Sequence, residues 1–374
     1  MTIDEDVHAI SPYFEVRQTA WGGRACFSNG NIPKGTTVLK VANSTGISIS
    51  YEFRKEVCHN CFAYDNARTM KYKLNYDCVK NLIPPDANCK INPKKFLGAG
   101  LWFCSEYCRS SYLQKPNIIE LVECYELLLC HFPNMLKRYN TDIEQENKLN
   151  SISISESIIQ SAWDEIESNW IPRIDHMKPT KKVSQLPAIS EDEYCCIRFV
   201  CESLFNLKHM ERQCITYRAF NMLQSNELSK ISKFPVLLHF QKLVFQTLYI
   251  LLPSHTGKML TIPLLRHILG TEYGNAFGLW QEGEAAESRE YFGYWVFPEA
   301  SYFNHSCTPN VTKYRKGNIM LFNVNTDIKK NEQICIDYSG VLELPTVKRR
   351  KFLADSWFFD CACERCKSEL QPVH

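Results

Sequence analysis

Seven of the 18 cysteines in this 374-residue chain sit in tight local groups, and those groups constrain its fold more than any other feature. Cys58-x2-Cys61 and Cys104-x3-Cys108 form one cluster, and Cys361-x-Cys363-x2-Cys366 forms the other. The amino terminus, Met1 to Asp6, is acidic and lacks the basic and apolar regions of a secretory leader. A reducing intracellular compartment, nucleus or cytoplasm, is therefore expected, where disulfides are rare and clustered cysteines read as metal ligands. Cys58, Cys61, Cys104 and Cys108 are expected to meet as a tetrahedral thiolate site for Zn2+. Metal binding would supply folding energy that so irregular a segment cannot draw from its own small core. The plain alternative is four unrelated free thiols. The carboxy-terminal group offers three thiolates, one short of a tetrahedral set. Cys195, Cys196, Cys201 and Cys214 are scattered through a helical-looking region and read as small packing residues.

Composition excludes several classes. Hydrophobic residues make up 45%, charged residues 22%, and the formal net charge is +2. No global field draws the chain to nucleic acid or to a membrane surface. The most apolar stretch, Val236 to Leu252, carries Lys242 at its centre. That charge costs roughly 2.5–3.5 kcal/mol on insertion scales, so a core helix is expected rather than a membrane span. Leu237, Phe240, Val244, Leu248 and Leu251 repeat at helical spacing as its buried face.

Along the chain, residues 13–50 read as short strands broken by a Pro33-Lys34-Gly35 turn. Residues 58–108 are irregular. Residues 115–260 are helical by pattern, with a polar linker near 140–156. Residues 290–340 return to strands, with a hairpin turn at Arg315 to Asn318, and a helix is expected from about Pro345 to Ser356. Strands at both ends and helices between argue α+β rather than alternating βαβ. Gly22-Gly23 opens no G-x-G-x-x-G run, which disfavours a Rossmann domain. Lys348-Arg349-Arg350-Lys351 reads as a solvated helix face.

Three segments in fixed order carry the strongest functional signal: Tyr302-Phe303-Asn304-His305-Ser306-Cys307-Thr308-Pro309-Asn310, then Asp337-Tyr338, then the terminal cysteine triad. Together they resemble the catalytic half of a SET-domain protein methyltransferase with its zinc-binding post-SET tail. With the first cysteine cluster, the chain resembles the SET–MYND subfamily of protein-lysine methyltransferases. The resemblance implies a split, pseudoknotted SET β core, residues 10–57 and 261–340. Between these lie a MYND-like zinc finger, 58–114, and a helical insert, 115–260; a post-SET region, 341–374, follows. The finger match is incomplete: Cys78 and Cys89 do not form a knuckle, and no His-x3-Cys follows Cys108. A second zinc in the finger is therefore not expected.

The remaining expectations come from that resemblance. Cys307 would be the fourth ligand to Cys361, Cys363 and Cys366, giving two zinc ions per chain; a knuckle borrowing Cys335 is the alternative. The cofactor would be S-adenosyl-L-methionine, held by Gly22, Gly23, Arg24, Asn304, His305, Tyr338 and Phe359. Tyr338 would be catalytic, and Asn275, Phe277 and Trp357 would line the substrate channel. Relatives often carry tyrosine where this chain has Trp357, so a catalytically silent scaffold is the competing reading. The implied partner is a protein bearing a lysine side chain. Direct nucleic-acid reading and membrane association are not expected, and the chain is expected to be a monomer.

Overall fold

The computed structural model describes residues 10–20, 23–85, 87–140, 143–283 and 288–370. The chain opens with a β-hairpin, β1 (Phe14–Thr19) against β2 (Gly23–Ser28). In β1, Phe14 and Val16 are buried while Glu15 and Arg17 between them are less so, the pattern of a half-buried strand; β2 buries Ala25, Cys26 and Ser28. The Pro33 to Thr36 turn closes with Thr36 N–H donating to the Pro33 carbonyl at 3.2 Å, and Gly35 supplies the positive φ of 86°. Next come β3 (Thr37–Val41) and β4 (Ile47–Ile49).

Residues 58–113 fold around a two-stranded ribbon, β5 (Tyr72–Lys73) against β6 (Trp102–Phe103), followed by α1 (Glu106–Leu113). The long helix α2 (Ile118–Arg138) then lies against α3 (Glu191–His209). Ser190 and Glu193 close a capping box at the start of α3, satisfying backbone donors that a helix start leaves free. The expected linker near 140–156 is only partly a loop. Residues 141–142 lie outside the described residues, but Ile143–Asn150 is helical, and the Asn150 side chain accepts from Val236 N–H. Tertiary anchoring outweighs the polar composition there.

The apolar stretch forms α4 (Val236–Leu251), as expected of a core helix. Its buried face is rotated from the expected one. Val244, Leu248 and Leu251 are buried, but Leu238, Gln241, Phe245 and Thr247 share that face, while Leu237 and Phe240 are only half-buried. Leu237 and Phe240 instead border a cavity shared with α3. Among the described residues no helix is long and apolar enough to cross a membrane.

Helix α5 (Ile262–Asn275) leads into β7 (Ala276–Trp280), β8 (Tyr291–Val296) and β9 (Asn304–His305). Then come the hairpin β10 (Val311–Lys316) and β11 (Ile319–Val324), and finally β12 (Gln333–Ile336). The hairpin turns on Gly317-Asn318, tighter than expected, with Gly317 at φ 59° as a two-residue turn requires. Three sheets form the β core. Their strand orders are β1-β2-β12-β9, β10-β11-β3 and β4-β8-β7. Each joins strands from the two ends of the chain, so the amino- and carboxy-terminal segments make one core with the helices inserted between them. In the first sheet β12 runs antiparallel to β2 and parallel to β9, so it enters between segments distant in sequence.

The tail carries α6 (Thr346–Trp357) and α7 (Glu364–Leu370). It has a separate small core of Cys307, Leu353, Cys361 and Cys366, with Leu342, Trp357 and Phe359 packed on it.

Candidate active site and metal centres

Both cysteine clusters assemble. Cys58, Cys61, Cys104 and Cys108 bring their Sγ atoms within 4.8 Å of one another, and so do Cys307, Cys361, Cys363 and Cys366. Within the first set, Cys61 to Cys104 and Cys104 to Cys108 are each 3.6 Å; within the second, Cys307 lies 3.8 Å from Cys361 and 3.5 Å from Cys366. Tetrahedral zinc with Zn–S bonds of about 2.3 Å separates its sulfurs by roughly 3.8 Å, whereas a disulfide would bring them to about 2 Å. The donor sets therefore fit zinc. Cys335 stands outside the second set, and among the described residues no third cysteine cluster forms around Cys78 or Cys89.

Local structure positions each ligand. The Cys58 to Ala63 knuckle closes with Cys58 N–H donating to the Ala63 carbonyl and Phe62 N–H to the Cys58 carbonyl. Ser105 caps α1 by accepting from Cys108 N–H, which fixes Cys108 in the first turn. Residues Cys361, Cys363 and Cys366 straddle the start of α7.

One residue of the second centre escapes the sequence reading. Arg349, expected on a solvated face, is fully buried. Its Nε donates to Cys307 Sγ at 3.1 Å. Its Nη2 donates to Glu369 at 2.9 Å and to Cys366 Sγ at 3.6 Å, and its Nη1 donates to the Leu344 carbonyl at 2.7 Å. Four thiolates around a divalent ion carry excess negative charge, and a guanidinium donating to two of the sulfurs offsets part of it. The run of four basic residues gave no sign of which one turns inward.

The tail's centre adjoins the Asn304–His305 loop. His305 is buried, and burial lowers its imidazole to about 4, with Asp337 opposing. The ring is therefore neutral at physiological pH. Nδ1 accepts from Tyr338 N–H at 3.2 Å, which leaves the proton on Nε2, 3.4 Å from Cys307 Sγ. Tyr338 OH donates to the Phe303 carbonyl at 2.8 Å, and burial raises the phenol above its ordinary range, so it stays protonated. Asn310 holds β12 in place, donating to the Gln333 carbonyl and accepting from Cys335 N–H, each at 2.9 Å.

Aromatic rings gather on Tyr338. Its ring centroid lies 5.5 Å from that of His305, 5.7 Å from Trp357 and 6.1 Å from Phe359. Asn304 donates from Nδ2 to the Arg24 carbonyl at 3.1 Å, tying this loop to β2. Arg24 itself turns to the Met222 carbonyl and the Tyr302 ring. Gly23, at φ 70°, has open space where a side chain would sit; Gly22 lies outside the described residues. Phe277 is buried among Phe297 and Phe322. Asn275 ends α5, its Nδ2 donating back to the Thr271 carbonyl at 2.7 Å. That amide is engaged by its own helix, a local competition that spacing does not reveal.

Comparison with known proteins places this architecture. The SET-domain family model matches residues 23–339. Over 374 residues the chain is 82% identical to the Saccharomyces cerevisiae protein named "potential protein lysine methyltransferase SET6", covering 100% of both chains. It is 24% identical over 335 residues to a SET and MYND domain-containing protein of Dictyostelium discoideum, covering 84% of this chain and 76% of that one. Human N-lysine methyltransferase SMYD2 is 35% identical over 83 residues, 22% of this chain and 19% of that protein. With the family match running from β2 to just past Tyr338, this chain belongs to the SET-domain family.

Proposed function

We propose that the chain is an S-adenosylmethionine-dependent protein-lysine N-methyltransferase of SMYD-like organisation, with one structural zinc in the finger and one in the tail. The observation that carries it is the convergence of Cys307 with the terminal triad, beside which the rings of His305, Tyr338, Trp357 and Phe359 meet. That convergence sets the tail against the Asn304–His305 loop.

The residues there suit the cofactor: open room over Gly23, the Asn304 amide, and an aromatic face at Phe359. Bound, it supplies a methyl group on a sulfonium, an electrophile that needs no acid catalyst. What remains for the protein is alignment, exclusion of water and charge placement. Tyr338, protonated and anchored on the Phe303 carbonyl, serves as a fixed dipole that orients an incoming amine rather than as a base. Backbone carbonyls around it favour weak contacts with a polarised methyl. His305, neutral and hydrogen-bonded on one side to Tyr338 N–H, couples the tail's zinc centre to the tyrosine's position. Trp357 packs beside Tyr338, an indole in place of the tyrosine usual in relatives.

Incubating the protein and a cell extract with methyl-labelled cofactor tests the reading. We expect labelled protein bands, with transfer falling about a hundredfold or more in Tyr338→Phe. Trp357 supports a second reading, a SET scaffold that binds cofactor without turnover. Cofactor binding with no label on any protein would decide for it.

A further inference from the structure

Strand β10 alternates cleanly. Thr312, Tyr314 and Lys316 are exposed, while Val311, Lys313 and Arg315 turn inward. A lysine on an inward face is uncommon without a paired carboxylate. Here the Lys313 Nζ donates to the Tyr338 carbonyl at 3.2 Å and lies 5.5 Å from the centroid of the Phe277 ring. Its acceptor is a neutral carbonyl rather than a carboxylate. The amine thus touches both the residue proposed as catalytic and one proposed to line the channel. The mechanism above does not use it.

The surrounding charges are mixed. Asp337 next to Tyr338 favours the ammonium, Arg289 disfavours it, and His305 is neutral. Burial is the larger influence and pushes the Lys313 amine down to about 8. Against the ordinary lysine value of about 10.4, that raises the neutral fraction near pH 7.5 by roughly two orders of magnitude. Only a neutral amine has the lone pair that displacement at a sulfonium methyl requires.

We propose that Lys313 is an internal methyl acceptor, an amine the chain holds against its own Tyr338 and methylates in cis. The inference rests on the methyltransferase reading. In the step, the Nζ lone pair forms the new N–CH3 bond and the S–CH3 bond breaks. The sulfonium keeps that electron pair and becomes a neutral thioether. The proton that left Nζ beforehand goes to water at the half-open side of the strand.

Two measurements on the full-length protein test this. The first needs no cofactor: competitive amine acylation across pH, read lysine by lysine by peptide mass spectrometry. Lys313 is expected to reach half-reactivity near pH 8, ahead of the exposed lysines; titration with the bulk overturns the proposal. The second uses methyl-deuterated S-adenosylmethionine with cell extract added. Label on the Lys313 peptide is expected, at a rate per chain unchanged by tenfold dilution, and absent from K313R. A rate that falls with dilution overturns methylation in cis. Labelled extract proteins with an unlabelled Lys313 overturn the inference and leave the methyltransferase reading standing. No label on any protein overturns both.

Discussion

Arg349 and Glu272 show what single side chains decide here. Arg349 joins α6 to the sulfurs of the tail, with its guanidinium fully buried and Glu369 partly exposed. Replacing it with alanine removes the cationic donor from the Cys307 and Cys366 sulfurs, while Glu369 keeps Arg365 at 2.7 Å. We expect a loss of about 2–3 kcal/mol in chemical denaturation, less than the ~3–5 kcal/mol of a fully buried pair, because Glu369 faces water. Zinc content of the same variant should fall toward one ion per chain. Glu272, on α5 beside Tyr291 and Tyr294, has its carboxyl raised by burial to about 7, with Lys230 opposing. A carboxyl whose folded value exceeds its unfolded one favours the fold when protonated. Its contribution is complete below pH ~4.5 and is lost as pH rises through 7. Glu272→Gln should therefore stabilise the protein at pH 8, by up to roughly 3 kcal/mol, and have little effect at pH 4.5. Urea titrations at the two pH values check it. Neither environment was legible in the sequence. A basic run and a lone glutamate look the same whether they face water or a neighbour 20 residues or more away.

At the level of elements, strand pairing across the chain sets the site. Gly293 in β8 pairs with Ile49 of β4 at φ 142°, and a Cβ there would meet the Ser48 carbonyl at 2.0 Å. Gly293→Ala should separate β4 from β8 and lower stability by about 2–4 kcal/mol, read as a fall in the thermal midpoint. The tail elements α6 and α7 pack on the small Cys307, Leu353, Cys361 and Cys366 cluster rather than on a large core. Cys307→Ser, or chelation, should make residues 341–370 sensitive to limited proteolysis while the β10–β11 hairpin stays protected. The hairpin was legible from its turn residues, and α6 from its proline start. The helix at Ile143–Asn150 was not, because its docking on α4 supplies what its polar sequence lacks.

For the whole molecule, two four-cysteine clusters bring distant parts of the chain together. Elemental analysis should give two zinc ions per chain. Cys58→Ser and Cys361→Ser should each remove one, and the second should also weaken cofactor binding.

The sequence by itself determined the local cysteine groupings and the general layout. Close cysteine spacing, alternating strand residues and helical periodicity are local properties, and local sterics and hydrogen bonding translate them directly into knuckles, strands and helices. Only the tertiary structure decided which distant groups meet. Cys307 joins Cys361 across 54 residues, Arg349 alone of its run turns to the sulfurs, and Lys313 reaches Tyr338. Those meetings depend on how β12 and the tail pack against a core drawn from both ends of the chain. No short window of sequence contains both partners, so none can encode the contact.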